Sequence, residues 1–240
     1  MTQIDIKGAV VDDDTAIVYD FFEMKCASPK SVNDALNDGN EDDVVVNIAS
    51  NGGDVFAASE IYTALRQCQR NVVVNIQGLA ASAASVIAMA GDQVNISPTG
   101  QIMIHQAMSG TVGNKDDMAK QIDILDGIDK SIASAYEAKT GIDQGELLNM
   151  MANETWLGAQ DAVNKGFADQ IMFVNEDELQ PVNSTEQAIP KRAVNKLLNL
   201  INKAESVKTL KTNEKIEEEK ENSRLSDLRS QKAAILLEKI

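Results

Sequence analysis

Strand-turn-helix units repeated along residues 1–175 predict an α/β fold built on a parallel sheet with helices packed against it. Two β-branched runs carry this prediction, Val44-Val45-Val46-Asn47-Ile48 and Val72-Val73-Val74-Asn75-Ile76, each followed by a glycine-bearing turn and a helical pattern. The third observation is a shift in charge: residues 183–240 carry 12 Lys/Arg and 9 Asp/Glu, although the whole chain has a net charge of -15. With 240 residues and 43% hydrophobic content, the chain supports one sizeable core and an appendage.

The elements follow in order. Residues 4–11 read as a strand, and Asp14 or Thr15 opens a helical stretch reaching Phe22. Ser31 is placed to cap a short helix ending near Gly39. Residues 44–48 are expected to form a strand buried on both sides, running into Ser50-Asn51-Gly52-Gly53, with a helix from Asp54 to about Gln69. A second unit repeats the plan: strand 72–76, a turn at Gln77-Gly78-Leu79, and a small-residue helix from about Ser82 to Ala90. Short strands are expected around Val94 and over 102–104.

Residues 114–139 predict a long helix capped by Asn114, with Asp116 and Asp117 in the first turn, where the helix dipole favours negative charge. Asp143 and Glu146 resemble a capping box for the next helix. A helix over 159–165, ended by Gly166, and a last strand over 171–174 complete the domain. Beyond it, 176–190 reads as a linker and 191–240 as a charged, partly helical or disordered tail. In the tail, Pro190 is placed to start a helix with apolar residues at Val194, Leu197, Leu198 and Ile201.

The acidic balance excludes nucleic acid and anionic membrane surfaces as partners, because binding either requires a basic face. Cys26 and Cys68 lack metal-ligand spacing, so neither a zinc site nor a disulfide framework is indicated. The acidic N-terminus has no signal-peptide pattern, and the weakly polar run 78–91 is too short to span a bilayer. A cytoplasmic protein without metal or cofactor is expected.

Serine becomes a strong nucleophile only when a base takes its proton and donors hold the developing oxyanion. Ser82 stands at a strand-to-helix junction among alanines, where a substrate backbone can approach. His105, the only histidine, follows the apolar run Ile102-Met103-Ile104 at a strand end and is the only candidate imidazole base. Gly52-Gly53 permits a backbone turn that aims an N–H of Gly53 toward the oxyanion, beside the N–H of Ala83. Taken singly, each has an ordinary structural reading: a packing serine, a hydrogen-bonded histidine, a glycine turn. Composition and spacing alone leave the activity of the α/β domain open.

Four ordered blocks narrow it: SNGGDVFAASEIY at 50–62, IQGLAASAAS at 76–85, IMIHQ at 102–106 and ETWLGAQDAVNKGFADQI at 154–171. Over residues 4–174 the chain resembles the ClpP-like serine proteases, and within them the ClpP-related head maturation proteases of tailed phages and prophages. The resemblance implies a crotonase-like spiral of β-β-α units that assembles into homo-oligomeric rings. It implies Ser82 as nucleophile, His105 as base, Gly53 and Ala83 as oxyanion donors, and packing for Ser85. The third acid of the triad falls on Glu154, where the family usually has Asp. Asp161 and Asp169 are weaker substitutes, the first on a surface helix and the second at a strand start. Ala107 stands where the family often has Pro.

The resemblance further implies an ATP-independent endopeptidase acting on phage scaffold and capsid proteins, in the host cytoplasm or inside the prohead. The start of the chain so near the first strand argues against an unfolding ATPase as partner. Two other readings are compatible with the residues: a noncatalytic ring-forming assembly protein, motivated by Glu154, and a crotonase-type acyl-CoA enzyme.

Overall fold

The computed structural model describes residues 1–39 and 41–174, which fall in the first of the two units into which the chain divides, Met1–Leu179. The expected linker 176–190, the tail 191–240 and the helix expected from Pro190 lie outside the described residues.

The elements run β1 (Thr2–Val10), α1 (Asp13–Phe21), β2 (Cys26–Ala27), α2 (Pro29–Leu36), β3 (Val44–Gly53), α3 (Val55–Gln67), β4 (Val72–Ala81) and α4 (Ala83–Ala88). They continue with β5 (Gln93–Ile96), β6 (Gln101–Ile104), α5 (Lys115–Thr140), α6 (Gln144–Ala152), β7 (Thr155–Gly158), α7 (Ala159–Asn164) and β8 (Gln170–Ile171). The sheet is parallel along the path β2-β1-β3-β4-β5-β8, while β7 joins antiparallel through β6. This is the mixed α/β architecture with a parallel sheet that the strand-turn-helix repeats predict.

Alternation decides which face of the sheet meets the core. Val44, Val46 and Ile48 of β3 and Val72, Val74 and Ile76 of β4 are buried, with α4 packed across both strands and α3 packed on α4 and β1. Removing any one of the isoleucines would cost about 2–5 kcal/mol, since a cavity adds to the lost transfer energy. The opposite face of 44–48 is also withdrawn from water, with Asn47 buried and Val45 half-buried, but it carries polar groups. Asp5, Asn47, Asn75, Asn95 and Gln170 stand in register across five strands. Asn47 Nδ2 donates to Asp5 at 3.2 Å, and Asn95 Nδ2 to Asn75 at 2.8 Å. An amide at the centre of each β-branched run gives that face a polar row.

Other local expectations are corrected by longer-range pairing. No turn interrupts residues 77–79: β4 continues to Ala81 by changing partner, from β5 along Val73–Ile76 to β6 along Leu79–Ala81. Ser28, not Ser31, caps α2, and Ser31 returns the bond by accepting from the Ser28 amide at 3.0 Å. Asp12 caps α1 through Thr15 N at 2.7 Å, and Asp143 caps α6 through Gly145 N at 2.9 Å rather than by a pair with Glu146. The last strand is two residues long, and the strands Cys26–Ala27 and Thr155–Gly158 have no signal of their own in the sequence. Among the described residues no helix is long and apolar enough to cross a membrane.

Candidate active site

The change of partner along β4 builds the site. Because Ala81 pairs with Met103 in a parallel register, the residues that leave the ends of β4 and β6 emerge side by side. Ser82 is the first residue beyond β4 and His105 the first beyond β6. Their side chains meet, with His105 Nε2 2.6 Å from Ser82 Oγ, and both residues are half-buried. The hydroxyl donates to Nε2 when the ring carries its proton on Nδ1.

Ser82 adopts φ 54° and ψ -126°, a conformation that costs a non-glycine residue about 1–3 kcal/mol. Hydrogen bonds on both sides of the residue hold it there. Its N–H donates to the Met103 carbonyl at 2.9 Å, and its carbonyl accepts from Ser85 N at 2.9 Å and Ser85 Oγ at 2.6 Å. Ser85 has one hydroxyl proton, committed to that carbonyl, so at 2.7 Å it accepts from Tyr136 O–H. Burial of Tyr136 pushes its phenol pKa well up, which keeps it a neutral donor. The sharp strand-to-helix turn turns the hydroxyl out toward the imidazole instead of into the helix.

The glycines explain how β3 reaches this turn. A Cβ on Gly52 would lie 2.6 Å from Ala81 O and 2.9 Å from Ser82 Cβ, and Gly52 has φ +90°. A Cβ on Gly53, at φ +151°, would lie 2.1 Å from the Val10 carbonyl. Only glycine fits at either position: Gly52 lets the end of β3 lie against the serine turn, and Gly53 lets it lie against β1. Ala83 is the first residue of α4, where an N–H has no acceptor within its helix.

The structure brings Ser82 and His105 into contact and does not bring Glu154 to the imidazole. The antiparallel register ends by pairing Ile104 with Thr155, the chain neighbours of His105 and Glu154. The backbone of Glu154 leaves the strand at φ 45°, however, and its exposed carboxylate accepts from Trp156 Nε1 at 3.2 Å. Asp161 is exposed on α7. Asp169 accepts from Val94 N at 2.6 Å and pairs with Lys139 at 2.9 Å, which occupies it in joining β5 to α5. Ser85 does more than pack, since it links Tyr136 to the serine turn. Neither that link nor the Gly52 contact has a local sequence signal, because each joins residues far apart along the chain.

A hydroxyl on a strained strand-to-helix turn, in contact with an imidazole from the neighbouring strand end, is the arrangement that defines the serine hydrolase class. The protein-family model described as Clp protease matches residues 34–175, and the chain belongs to the Clp protease family. Among its relatives, the ATP-dependent Clp protease proteolytic subunit of Deinococcus radiodurans is 30% identical over 134 residues, 55% of this chain and 66% of that protein. Proteolytic subunit 1 of Salinibacter ruber is 27% identical over 150 residues, 62% of this chain and 64% of that one. The subunit of Bacteroides fragilis is 28% identical over 133 residues, 55% and 64% of the two chains. This chain therefore spans just under two thirds of the length of these relatives.

Proposed function

We propose that the protein is a serine endopeptidase in which Ser82 attacks the scissile carbonyl and His105 takes the proton at Nε2. The tetrahedral oxyanion is held by the N–H groups of Gly53 and Ala83. It collapses to an acyl-enzyme as His105 returns the proton to the leaving amine, and water repeats the sequence to release the acid. The observation that carries this reading is the 2.6 Å contact between His105 Nε2 and Ser82 Oγ, made by a serine held at φ 54°. Glu154 takes the third place of the triad on backbone register alone, and its side chain must leave Trp156 to fill it.

The finer reading is an ATP-independent head maturation protease of a phage or prophage, a homo-oligomeric ring that cleaves scaffold and capsid proteins where proheads assemble in the bacterial cytoplasm. The resemblance of the four sequence blocks supports it, as does the charged composition of residues 183–240, which suits a scaffold-like extension. The engagement of Glu154 with Trp156 favours one competing reading, a ring-forming assembly protein without proteolysis.

One experiment addresses both levels. Wild-type protein and Ser82→Ala are incubated without ATP with candidate capsid and scaffold proteins, and the products are read by mass spectrometry beside labelling by a fluorophosphonate probe. Labelling and cleavage that depend on Ser82 are expected. A folded, assembled wild type that neither labels nor cleaves would replace the protease with the noncatalytic assembly protein, whereas labelling without cleavage of phage proteins would remove only the substrate assignment.

A further inference from the structure

The buried face of α5 begins with a charge. Along this 26-residue helix the buried residues are Asp129, Ile132, Ala133 and Tyr136, an i, i+3, i+4, i+7 stripe in which an apolar side chain would serve packing at every position. Asp129 is 4% exposed and is the only acidic or basic side chain among the buried residues described. A carboxylate withdrawn from water costs several kcal/mol unless it gains a strong partner. Its partner is the backbone N–H of Ala107, at 2.7 Å from Oδ1. That amide lies two residues beyond His105, where the chain has left β6.

The same helix face reaches the serine side of the site. Two turns after Asp129, Tyr136 donates to Ser85, whose hydroxyl holds the Ser82 carbonyl. One rigid stripe thus holds the segment carrying the nucleophile at one end and the segment carrying the imidazole at the other. His105 itself has no sheet partner beyond Ile104, so the bond to Ala107 is what ties down the chain on its far side.

We propose that Asp129 is a positioning residue for His105, holding the Ala107 amide so that the imidazole stays against Ser82. This rests on the reading of Ser82 and His105 as nucleophile and base. Asp129 supplies orientation through the backbone, so the imidazole keeps its contact with Ser82 even while Glu154 is held by Trp156.

The test uses the full chain as wild type, Asp129→Ala, Asp129→Asn and Asp129→Leu. Asp129→Ala is expected to lower kcat on a peptide substrate by about 100-fold with KM little changed, as a small misplacement of a base does. Asp129→Asn, whose amide oxygen still accepts the Ala107 N–H, is expected to recover about tenfold of that loss. Asp129→Leu fills the same place in the apolar stripe without accepting the Ala107 N–H, reproduces the loss, and serves if Asp129→Ala fails to fold. Wild-type kcat in Asp129→Ala or Asp129→Leu, or Asp129→Asn as slow as Asp129→Ala, overturns the proposal. An independent readout separates its failure from that of the protease reading: His105 is the only histidine, so its imidazole NMR signals need no assignment. Shifted or broadened ring signals in the folded variants support positioning even if the wild type hydrolyses nothing, and ring signals identical to wild type overturn it.

Discussion

Trp156 holds the carboxylate of Glu154 at 3.2 Å through its indole N–H, although Glu154 adjoins Thr155, which pairs with Ile104 next to His105. The bond is exposed and joins residues two apart, so little free energy is needed to break it. A carboxylate that orients an imidazole in the transition state must therefore first leave the tryptophan. Glu154→Gln is expected to lower kcat by at least about tenfold, since an amide stabilises the imidazolium poorly. Trp156→Phe frees the carboxylate and should leave kcat equal to wild type or higher. Steady-state kinetics on both variants checks this, and unchanged turnover in Glu154→Gln removes Glu154 from the triad.

Gly52 offers a geometric test of the serine turn. Gly52→Ala places a methyl against Ala81 O, Ala83 N and Ser82 Cβ, all within 2.9 Å, at a backbone conformation that alanine resists. The expected outcome is a stability loss of about 1–3 kcal/mol together with much slower fluorophosphonate labelling of Ser82. Gly127→Ala, in open space on α5, is the contrast and should gain about 0.5–1 kcal/mol with labelling unchanged. Thermal melts and labelling rates of the two variants decide the matter.

Tyr136 predicts a pH dependence of stability. Its folded pKa is raised above the ordinary value of 10.0 by burial, so the folded state keeps the phenol proton while the unfolded chain releases it. Its contribution is complete below pH 10 and declines as pH rises from there toward the folded pKa. Tyr136→Phe should cost about 1 kcal/mol at neutral pH from the lost bond to Ser85, and the difference in Tm from wild type should shrink above pH 10. Melts from pH 7 upward test the sign, and a gap that widens with pH contradicts it.

Lys139 and Asp169 should act on stability and not on chemistry. The Lys139 side chain is 7% exposed and donates to Asp169 at 2.9 Å and to the Gly91 carbonyl at 3.2 Å. Lys139→Ala leaves Asp169, whose side chain is 34% exposed, with the Val94 N–H as partner, and is expected to cost about 1–2 kcal/mol. Labelling of Ser82 in the folded variant should match wild type; a large loss there would tie this ion pair to the site.

The sequence by itself determined the sheet strands with β-branched runs and the long helix behind Asn114, and it offered Ser82 and His105 as candidates that only the four ordered blocks together single out. The elements rest on signals confined to a few neighbouring residues, alternation and a cap, whereas the two site candidates rest on blocks spread over residues 50–171. Tertiary structure decided the rest. That β4 runs through Gln77-Gly78-Leu79, that Thr155–Gly158 is a strand, that Gly52 touches the serine turn, that Glu154 faces Trp156, and that Asp129 holds Ala107 all depend on which distant segments meet. The physical reason is that a strand end, a glycine cleft or a buried carboxylate acquires its energy from a partner that local spacing does not encode, so its role is settled only when the chain closes on itself.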